Sequence, residues 1–499
     1  MRKLILLTFL LFSTALYSQQ MNYKKIELQL ESPAQLEKLA SVGTDLSEAE
    51  VTKEGLMKLF VSDLEYQRIL DAGFAPTILI DDWFAYYKSQ PVMTEVEQLH
   101  AIRQSKSEFN VEGFGYGSMG GHYTFQEAIM RLDSLSMQYP NIITPKFSLG
   151  LSVEGRTVWC VKISDNPNIN ENEPQALFDG LIHAREPMSM MCIFYYMYYL
   201  AENYGTDPEV TYLINNRELY FAPVTNPDGY EYNRQTNPSG GGMWRKNRKN
   251  NGNGSYGIDL NRNYGYMWGY DNSGSSPDPS DETYRGTAAF SEPEASIIRD
   301  FALTKNFKTH INYHTYQNAI IHPWGYINTL PPNFSTYNEM ASHMAKFNGY
   351  TFGTSYQTLG YNSNGTMRDW FYGEQSTKGK AYSFVFEVGG SSDGFWAPMN
   401  RILPLAQGNL RPNLYISWMA GEYVRLKNYQ ISKPYLLAGD TASVQLSLTN
   451  SGLSTGYTLT VEASSLSPLI IVNSNVITID SIQSRSDYSV PQTLPFTVA

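Results

Sequence analysis

The middle of this 499-residue sequence predicts an α/β fold, with a mixed central sheet covered by helices on both faces. Three observations support this. Apolar runs typical of strands alternate with helical patterns through the middle of the chain. The segment before it is richer in charge and mixes short strand and helix patterns. The segment after it has short alternating strands separated by Ser, Thr, Asn and Gly. The flanking segments therefore predict a small α+β domain and a β-sandwich.

A secretory signal is predicted at the amino terminus, residues 1–19. It begins with Arg2 and Lys3 and continues with an apolar run at 4–12 that is too short to span a bilayer. We therefore expect a secreted protein, periplasmic or extracellular. The other predicted segments are the α+β domain at 20–112, the α/β domain at 113–425 and the β-sandwich at 426–499. The last segment ends within a strand-like run, which favours a truncated domain.

The α/β domain begins with a helix signal, because Thr124 suits the N-cap position and Glu127 completes a capping box. The Gly-rich stretch before it, 113–121, predicts a linker open to proteolysis. The predicted strands lie at 157–163, 175–182, 218–224, 309–313 and 381–386, and the predicted helices at 187–203, 293–303, 335–347 and 402–423.

The composition excludes several classes of protein. A formal net charge of −11, without a basic stripe, argues against nucleic-acid binding. No later stretch approaches twenty uninterrupted apolar residues, so we expect no transmembrane segment. The two cysteines, Cys160 and Cys192, give no disulfide framework and are predicted to be buried thiols.

A metal site is indicated by His183 and Glu186, which directly follow a predicted strand. Alone this pair is weak, because seven histidines and 48 acidic residues in 499 positions give roughly 0.7 such pairs by chance. A capped helix start beside a surface histidine is the alternative. His314, at the end of another predicted strand, supplies a third ligand and completes the two-nitrogen, one-carboxylate set of a catalytic zinc. The rival histidines, His310 and His322, are more typical of structural positions.

Glu387 ends a further apolar strand and adds a second carboxylate to this group. A solvated Glu closing a strand is the competing interpretation. However, all four of these residues follow carboxyl ends of predicted strands, where open α/β sheets place their sites. The coincidence favours one catalytic site.

A series of motifs runs in a fixed order from about 116 to 424: Glu154-Gly155-Arg156, His183-Ala184-Arg185-Glu186, Asn226-Pro227-Asp228-Gly229, Trp244-Arg245-Lys246-Asn247-Arg248, Asp259-Leu260-Asn261-Arg262-Asn263, Ser291-Glu292-Pro293-Glu294, His314-Thr315-Tyr316, Tyr361, Asp369-Trp370 and Phe386-Glu387. Through these motifs the sequence resembles the zinc metallocarboxypeptidase family of the pancreatic carboxypeptidase A/B type, and we expect a secreted bacterial member.

The resemblance implies a carboxypeptidase-like fold, one Zn²⁺ per catalytic domain, and peptide or protein carboxyl termini as substrates. We expect the catalytic unit to be monomeric. It implies the following roles: zinc ligands His183, Glu186 and His314; general base Glu387; oxyanion stabiliser Arg245; carboxylate-binding residues Asn261, Arg262 and Tyr361; and a neighbouring subsite at Arg185. A planar guanidinium that binds both oxygens of a terminal carboxylate suits an exopeptidase.

Substrate preference is predicted from Arg368, since the residue before the Asp-Trp pair largely sets the side-chain pocket in this family. A buried arginine there favours substrates that end in Glu or Asp. In the alternative, Arg368 pairs with Asp369 or Glu374 and points away from the pocket.

The α+β domain resembles the family's prodomains only in position and general pattern, and we expect activation by cleavage between about Arg103 and Gly117. The acidic loop 271–281 is a candidate for calcium, although turn-forming residues explain its composition equally well. Two other functions stay open: a cell-wall peptide amidase on the same scaffold, and a non-catalytic binding protein. The binding protein would require loss of a ligand or of the base, and none is missing.

Overall fold

The computed structural model describes residues 22–47, 49–52 and 54–499, so the predicted signal peptide lies outside the described residues. We divide the described chain into an N-terminal unit (22–110), a central unit (111–423) and a C-terminal unit (424–499). Within the described residues, no helix combines the length and hydropathy needed to span a bilayer. Cys160 and Cys192 are both buried and unpaired thiols, as predicted.

The N-terminal unit packs four helices with an antiparallel sheet of order β2-β3-β1-β4. Its elements are β1 (Tyr23–Gln29), α1 (Pro33–Ser41), β2 (Glu50–Val51), β3 (Leu56–Ser62), α2 (Asp63–Asp71), β4 (Thr77–Ile80), α3 (Trp83–Lys88) and α4 (Glu95–Phe109). Alternate residues of β1 and β3, such as Ile26 and Leu59, meet in a separate apolar core.

The central unit is built on an eight-stranded mixed sheet of order β11-β10-β12-β9-β7-β8-β6-β5. Its strands are β5 (Phe147–Leu151), β6 (Thr157–Ile163), β7 (Gln175–Asp179), β8 (Glu218–Ala222), β9 (Phe307–His314), β10 (Ala319–His322), β11 (Thr351–Thr354) and β12 (Tyr382–Glu387). Its helices are α5 (Phe125–Gln138), α6 (Pro187–Asn203), α7 (Pro208–Ile214), α8 (Pro227–Thr236), the 3₁₀ turn Leu260–Arg262, α9 (Pro293–Leu303), α10 (Phe334–Asn348), α11 (Ser355–Leu359), α12 (Met367–Gly373), α13 (Met399–Gly408) and α14 (Leu410–Ala420).

Helices cover both faces of this sheet, because successive residues of its central strands belong to different cores. In β7, Phe178 lies in the larger core with α6 and α14, whereas Leu177 lies in the second core with α9 and α12. The central strands β12, β9, β7 and β8 are mutually parallel. Their carboxyl ends therefore meet at one edge of the sheet, where His314 and Glu387 are neighbours in register.

Two local expectations differ from the structure. The predicted helix 402–423 is two helices that meet at Asn409, because Pro412 lacks an N–H and its ring excludes the carbonyl one turn earlier, so a new helix must begin just before it. The Gly-rich stretch 113–121 is a folded turn rather than an open linker, with Met119 buried and Gly117 paired with Gly121.

The C-terminal unit has an antiparallel sheet of order β13-β14-β18-β16 and a two-stranded sheet, β15-β17. Its strands are β13 (Val424–Ile431), β14 (Thr441–Asn450), β15 (Gly456–Glu462), β16 (Ile470–Val472), β17 (Val476–Ile482) and β18 (Ser486–Val498). Leu446 and Leu448 of β14 pack with Ile477 and Ile479 of β17 in a core between the sheets.

Candidate metal centre and active site

His183 and Glu186 lie in the turn that joins β7 to α6. Leu181, at φ 52°, bends the chain after the strand, and Pro187 fixes the first turn of the helix directly after Glu186. Both side chains are buried, and His183 Nδ1 lies 2.8 Å from Glu186 Oε1. The three-residue spacing thus brings an imidazole and a carboxylate to one point.

His314, at the end of β9, completes the group. Its Nδ1 lies 2.9 Å from Glu186 Oε2 and 3.1 Å from His183 Nδ1. A tetrahedral zinc site with bonds of 2.0–2.1 Å separates its ligand atoms by about 3.3 Å, which is close to these distances. Two imidazole nitrogens and one carboxylate are also the donor set of a catalytic zinc. His183, Glu186 and His314 therefore fit a zinc ion by geometry and by chemistry.

The electrostatics of the three residues are consistent with a bound cation. Burial alone would raise the pKa of Glu186, but His183 and His314 outweigh it and hold that pKa well below its usual range. Burial lowers the pKa of His314 to about 4, and Glu186 offsets only part of that effect. Burial and Arg245 lower the pKa of His183, but Glu186 and Asp259 outweigh them and the net pKa is raised. An ionised carboxylate between two imidazoles is suited to a divalent ion.

Asp259 orients the first of these ligands, a role that the sequence analysis did not assign. Its Oδ1 lies 3.3 Å from His183 Nε2, and its Oδ2 accepts a hydrogen bond of 3.0 Å from Arg245 Nη2. A carboxylate on the far nitrogen of a histidine ligand fixes the ring and its tautomer. The Asp259-Leu260-Asn261-Arg262-Asn263 motif contained this residue, but only the fold shows that it faces His183.

Glu387 ends β12, the strand next to β9. Cross-strand pairing sets Glu387 opposite His314 on one side and Ala319 on the other. The side chain is 5 % exposed, so it does not close the strand as a solvated residue.

Arg245 and Arg185 lie beside the proposed ligands and contact the N-terminal unit. Arg245 Nη1 lies 3.8 Å from Glu186 Oε1. Asp45, whose side chain is 3 % exposed, accepts a hydrogen bond of 2.7 Å from Arg185 Nη2 and lies 3.7 Å from Arg245 Nε. The Arg185 guanidinium also lies over the ring of Phe395, at 4.1 Å. Sequence reasoning gave no signal for Asp45.

Asn261 and Arg262 belong to the 3₁₀ turn that follows Asp259. Asn261 Oδ1 accepts a hydrogen bond of 2.9 Å from the Met367 amide, and its Nδ2 points toward His314, 3.5 Å from Nε2. Arg262 lines a cleft of about 420 Å³ between the N-terminal and central units, and Tyr361 lines the same cleft. The structure therefore brings Asn261 to His314, and Arg262 and Tyr361 to one cleft.

Arg368 lies in the first turn of α12 and is 3 % exposed. Its Nη2 donates to Ser355 Oγ at 2.9 Å, and its Nε contacts Asp369 Oδ1 at 3.4 Å. Of the two alternative partners predicted for Arg368, Asp369 is the one it pairs with, whereas Glu374 accepts hydrogen bonds from Ser376 and Thr377 instead.

The calcium candidate at 271–281 uses its carboxylates for other contacts. Asp271 accepts hydrogen bonds from the amides of Ser273 and Gly274, as in a turn. Asp281 pairs with Arg68 of the N-terminal unit at 2.7 Å. Among the described residues, this loop forms no cluster of acidic ligands. The turn interpretation therefore explains its composition.

Comparison with known proteins identifies the family. The zinc carboxypeptidase family profile matches residues 129–411. Carboxypeptidase A2 of Rattus norvegicus is 33% identical over 313 residues, which cover 61% of this chain and 70% of that protein. A zinc carboxypeptidase of Saccharothrix mutabilis subsp. capreolus is 35% identical over 291 residues, which cover 55% of this chain and 64% of that protein.

Solved structures share the fold. Carboxypeptidase A from Helicoverpa armigera superposes with a TM-score of 0.65 at 21% identity, over 81% of this chain and 98% of that one. Bovine thrombin-activatable fibrinolysis inhibitor gives a TM-score of 0.53 at 26% identity, over 61% of this chain and 99% of that one. The mixed sheet with its flanking helices is thus carboxypeptidase-like. Together with the matched profile, this shows that the chain belongs to the zinc carboxypeptidase family and is a zinc metallocarboxypeptidase.

Proposed function

We propose that the protein removes single residues from the carboxyl ends of peptides and proteins, with zinc held by His183, Glu186 and His314 and with Glu387 as the general base. One observation carries this proposal: three ligand atoms from two separate parts of the chain converge within 4.8 Å of one another at a buried point. Bound zinc would polarise the scissile carbonyl and lower the pKa of the attacking water.

In the mechanism, Glu387 would take a proton from the attacking water and later deliver it to the leaving amine. Its register beside His314 supports this role. Arg245 would stabilise the negative charge that develops on the carbonyl oxygen. Asp259 supports that role, because it holds the Arg245 guanidinium while it also orients His183.

The exopeptidase character would come from residues that bind the terminal carboxylate. Arg262 would form the charged contact, and Asn261 and Tyr361 would complete the carboxylate site. Asn261 is held in place through its Oδ1 by the Met367 amide, which leaves its Nδ2 to donate. Arg185 would line the neighbouring subsite.

Arg368 would give a preference for substrates ending in Glu or Asp. The Arg368 guanidinium fits beside Gly325 because that residue has no side chain. A Cβ on Gly325 would lie only 2.1 Å from Arg368 Nη2. Arg368 pairs with Asp369, and that carboxylate also accepts hydrogen bonds from the amides of Gly325 and Tyr326. An acidic side chain of the substrate would bind Arg368 as a second partner beside Asp369.

The N-terminal unit would act as an inhibitory prodomain, and the precursor would be a zymogen. Asp45 supports this, because it pairs with Arg185 and lies within ion-pair distance of Arg245, which the mechanism needs for substrate. Cleavage between about 103 and 117 would release the unit. Arg103 and Lys106 of α4 are exposed and offer basic residues for such a cleavage.

Three further features belong to the same proposal. The predicted signal would export the protein, the catalytic unit would act as a monomer, and the C-terminal unit would form a β-sandwich appendage. The packing of the β14 and β17 side chains between two sheets supports the last of these.

The test uses trimmed protein, with zinc and after chelation, and peptides that differ only in a final Glu, Phe or Lys. Chelator-sensitive loss of one terminal Glu supports the whole proposal. Loss of Phe alone retains the mechanism and rejects the role of Arg368. With zinc confirmed bound, no release from any peptide would favour the cell-wall peptide amidase or the non-catalytic binding protein, and hydrolysis of a peptidoglycan stem peptide would distinguish the two.

A further inference from the structure

A chain of buried polar side chains runs behind His314, away from the other two ligands. His314 Nε2 lies 2.5 Å from Asn312 Oδ1, and Asn312 Nδ2 donates to Asp179 Oδ1 at 2.5 Å. Asp179 Oδ2 lies 2.9 Å from His310 Nε2, and His310 Nδ1 lies 2.8 Å from Ser383 Oγ. The four residues behind His314 are all 0 % exposed.

The sheet explains why these residues meet. His310, Asn312 and His314 are alternate residues of β9 and therefore point to one face. Cross-strand pairing sets Asp179 of β7 opposite Asn312 and Ser383 of β12 opposite His310. The chain thus crosses three adjacent strands, and each hydrogen bond follows from register.

The hydrogen bonds in this row of buried side chains run in one donor-to-acceptor direction. The NH₂ group of Asn312 is the donor that faces Asp179 Oδ1, so the Asn312 carbonyl oxygen faces His314. His314 Nε2 then carries the proton that it donates to this oxygen, which at 2.5 Å is much nearer to Nε2 than Asn261 Nδ2 at 3.5 Å. Its Nδ1 is left with the lone pair, and Nδ1 is the atom that faces Glu186 and His183.

We propose that Asn312 is a positioning residue for the metal: it holds the ring and tautomer of His314, and Asp179, His310 and Ser383 hold Asn312 in turn. The inference rests on the proposed zinc ligands. The two histidine ligands would then have different supports, a carboxylate from Asp259 behind His183 and a neutral amide behind His314. Partners of this kind affect metal affinity by roughly 10- to 100-fold.

The test measures zinc affinity of the full chain by competition with a chromogenic chelator. Asn312→Leu removes the acceptor at similar volume and is expected to weaken zinc binding by roughly 10- to 100-fold. Thr309→Val is the matched control, because Thr309 lies on the same strand, is equally buried, and uses its hydroxyl on Ile416 O at the opposite face. Its zinc affinity should stay within about twofold of the original.

Exchanging the amide and the carboxylate between positions 312 and 179 should restore zinc binding. In the double variant Asn312→Asp, Asp179→Asn, the new carboxylate accepts from His314 Nε2 and the new amide donates to that carboxylate. Zinc affinity should return to within a fewfold of the original. The absorption spectrum of the cobalt-loaded protein should change in Asn312→Leu and recover in the double variant, which a loss of core stability alone would not produce.

The outcomes separate the two levels of the proposal. If His314→Ala binds zinc normally, the proposed ligand set is wrong. If His314→Ala loses zinc but Asn312→Leu and Asn312→Ala keep it, Asn312 has no positioning role and the inference fails alone. Equal losses in Thr309→Val and Asn312→Leu would likewise overturn it.

Discussion

Asp45 offers the sharpest test of how the N-terminal unit acts on the active site. Asp45→Asn keeps the volume of the side chain but removes the charge that pairs with Arg185 at 2.7 Å. Burial by itself would raise the pKa of Asp45, but Arg245 and Arg185 outweigh it and hold that pKa well below its usual range. The carboxylate is therefore ionised in the docked precursor.

The loss of docking free energy in Asp45→Asn depends on the partners that Arg245 and Arg185 keep. Removing one partner of a buried pair costs about 3–5 kcal/mol. Arg245 keeps Asp259 at 3.0 Å and Arg185 keeps the ring of Phe395, so we expect the lower end of this range. A loss of about 3 kcal/mol from docking corresponds to a shift of roughly 100-fold toward the open form.

The assay compares peptide hydrolysis by intact precursors with hydrolysis by trimmed enzyme. Asp45→Asn should raise precursor activity by roughly 100-fold, up to the level of the trimmed enzyme. Asp81→Asn is the control, because Asp81 belongs to the same unit and pairs only with Lys24 among the ion pairs of the described residues, at an exposed site. If Asp45→Asn leaves the precursor as inactive as before while the trimmed enzyme is active, Asp45 has no inhibitory role. A precursor already as active as the trimmed enzyme would reject the prodomain proposal.

Three further predictions concern catalysis, specificity and pH. Glu387→Gln should lower kcat by roughly 10²- to 10⁴-fold while metal analysis still finds one zinc per chain, and loss of zinc would contradict its role as base. Arg368→Leu should lower kcat/KM for peptides ending in Glu by roughly 100-fold and raise it for peptides ending in Leu; an unchanged ratio would reject the pocket. Burial, Glu282 and Asp45 raise the pKa of Glu65 to about 7 from 4.5. The protonated carboxyl of Glu65 therefore stabilises the folded state. Its contribution to the free energy of unfolding, about 3 kcal/mol, is fully present below about pH 4.5 and is lost as the pH rises through about 7. Glu65→Gln should remove this loss in denaturant unfolding measured at low and neutral pH, and an unchanged slope would assign it to other groups.

Much of the site was predictable from the sequence because its ligands are tied to local signals. His183 and Glu186 lie three residues apart between a strand pattern and a helix pattern, and in the structure His183 Nδ1 lies 2.8 Å from Glu186 Oε1. His314 and Glu387 end apolar runs that are readable as strands. Strand ends and short spacings depend on residues that are close together in the chain. The sequence therefore determined these ligand positions together with the α/β fold.

The tertiary structure alone decided which distant residues support that site. Asp259 behind His183, Asn312 behind His314 and Asp45 beside Arg185 have ordinary sequence surroundings, and their roles depend on strand order, register and the docking of the N-terminal unit. The folded state of 113–121 was decided in the same way. Contacts between residues far apart in the chain arise from packing that no local pattern encodes, and this is why these partners emerged only from the fold.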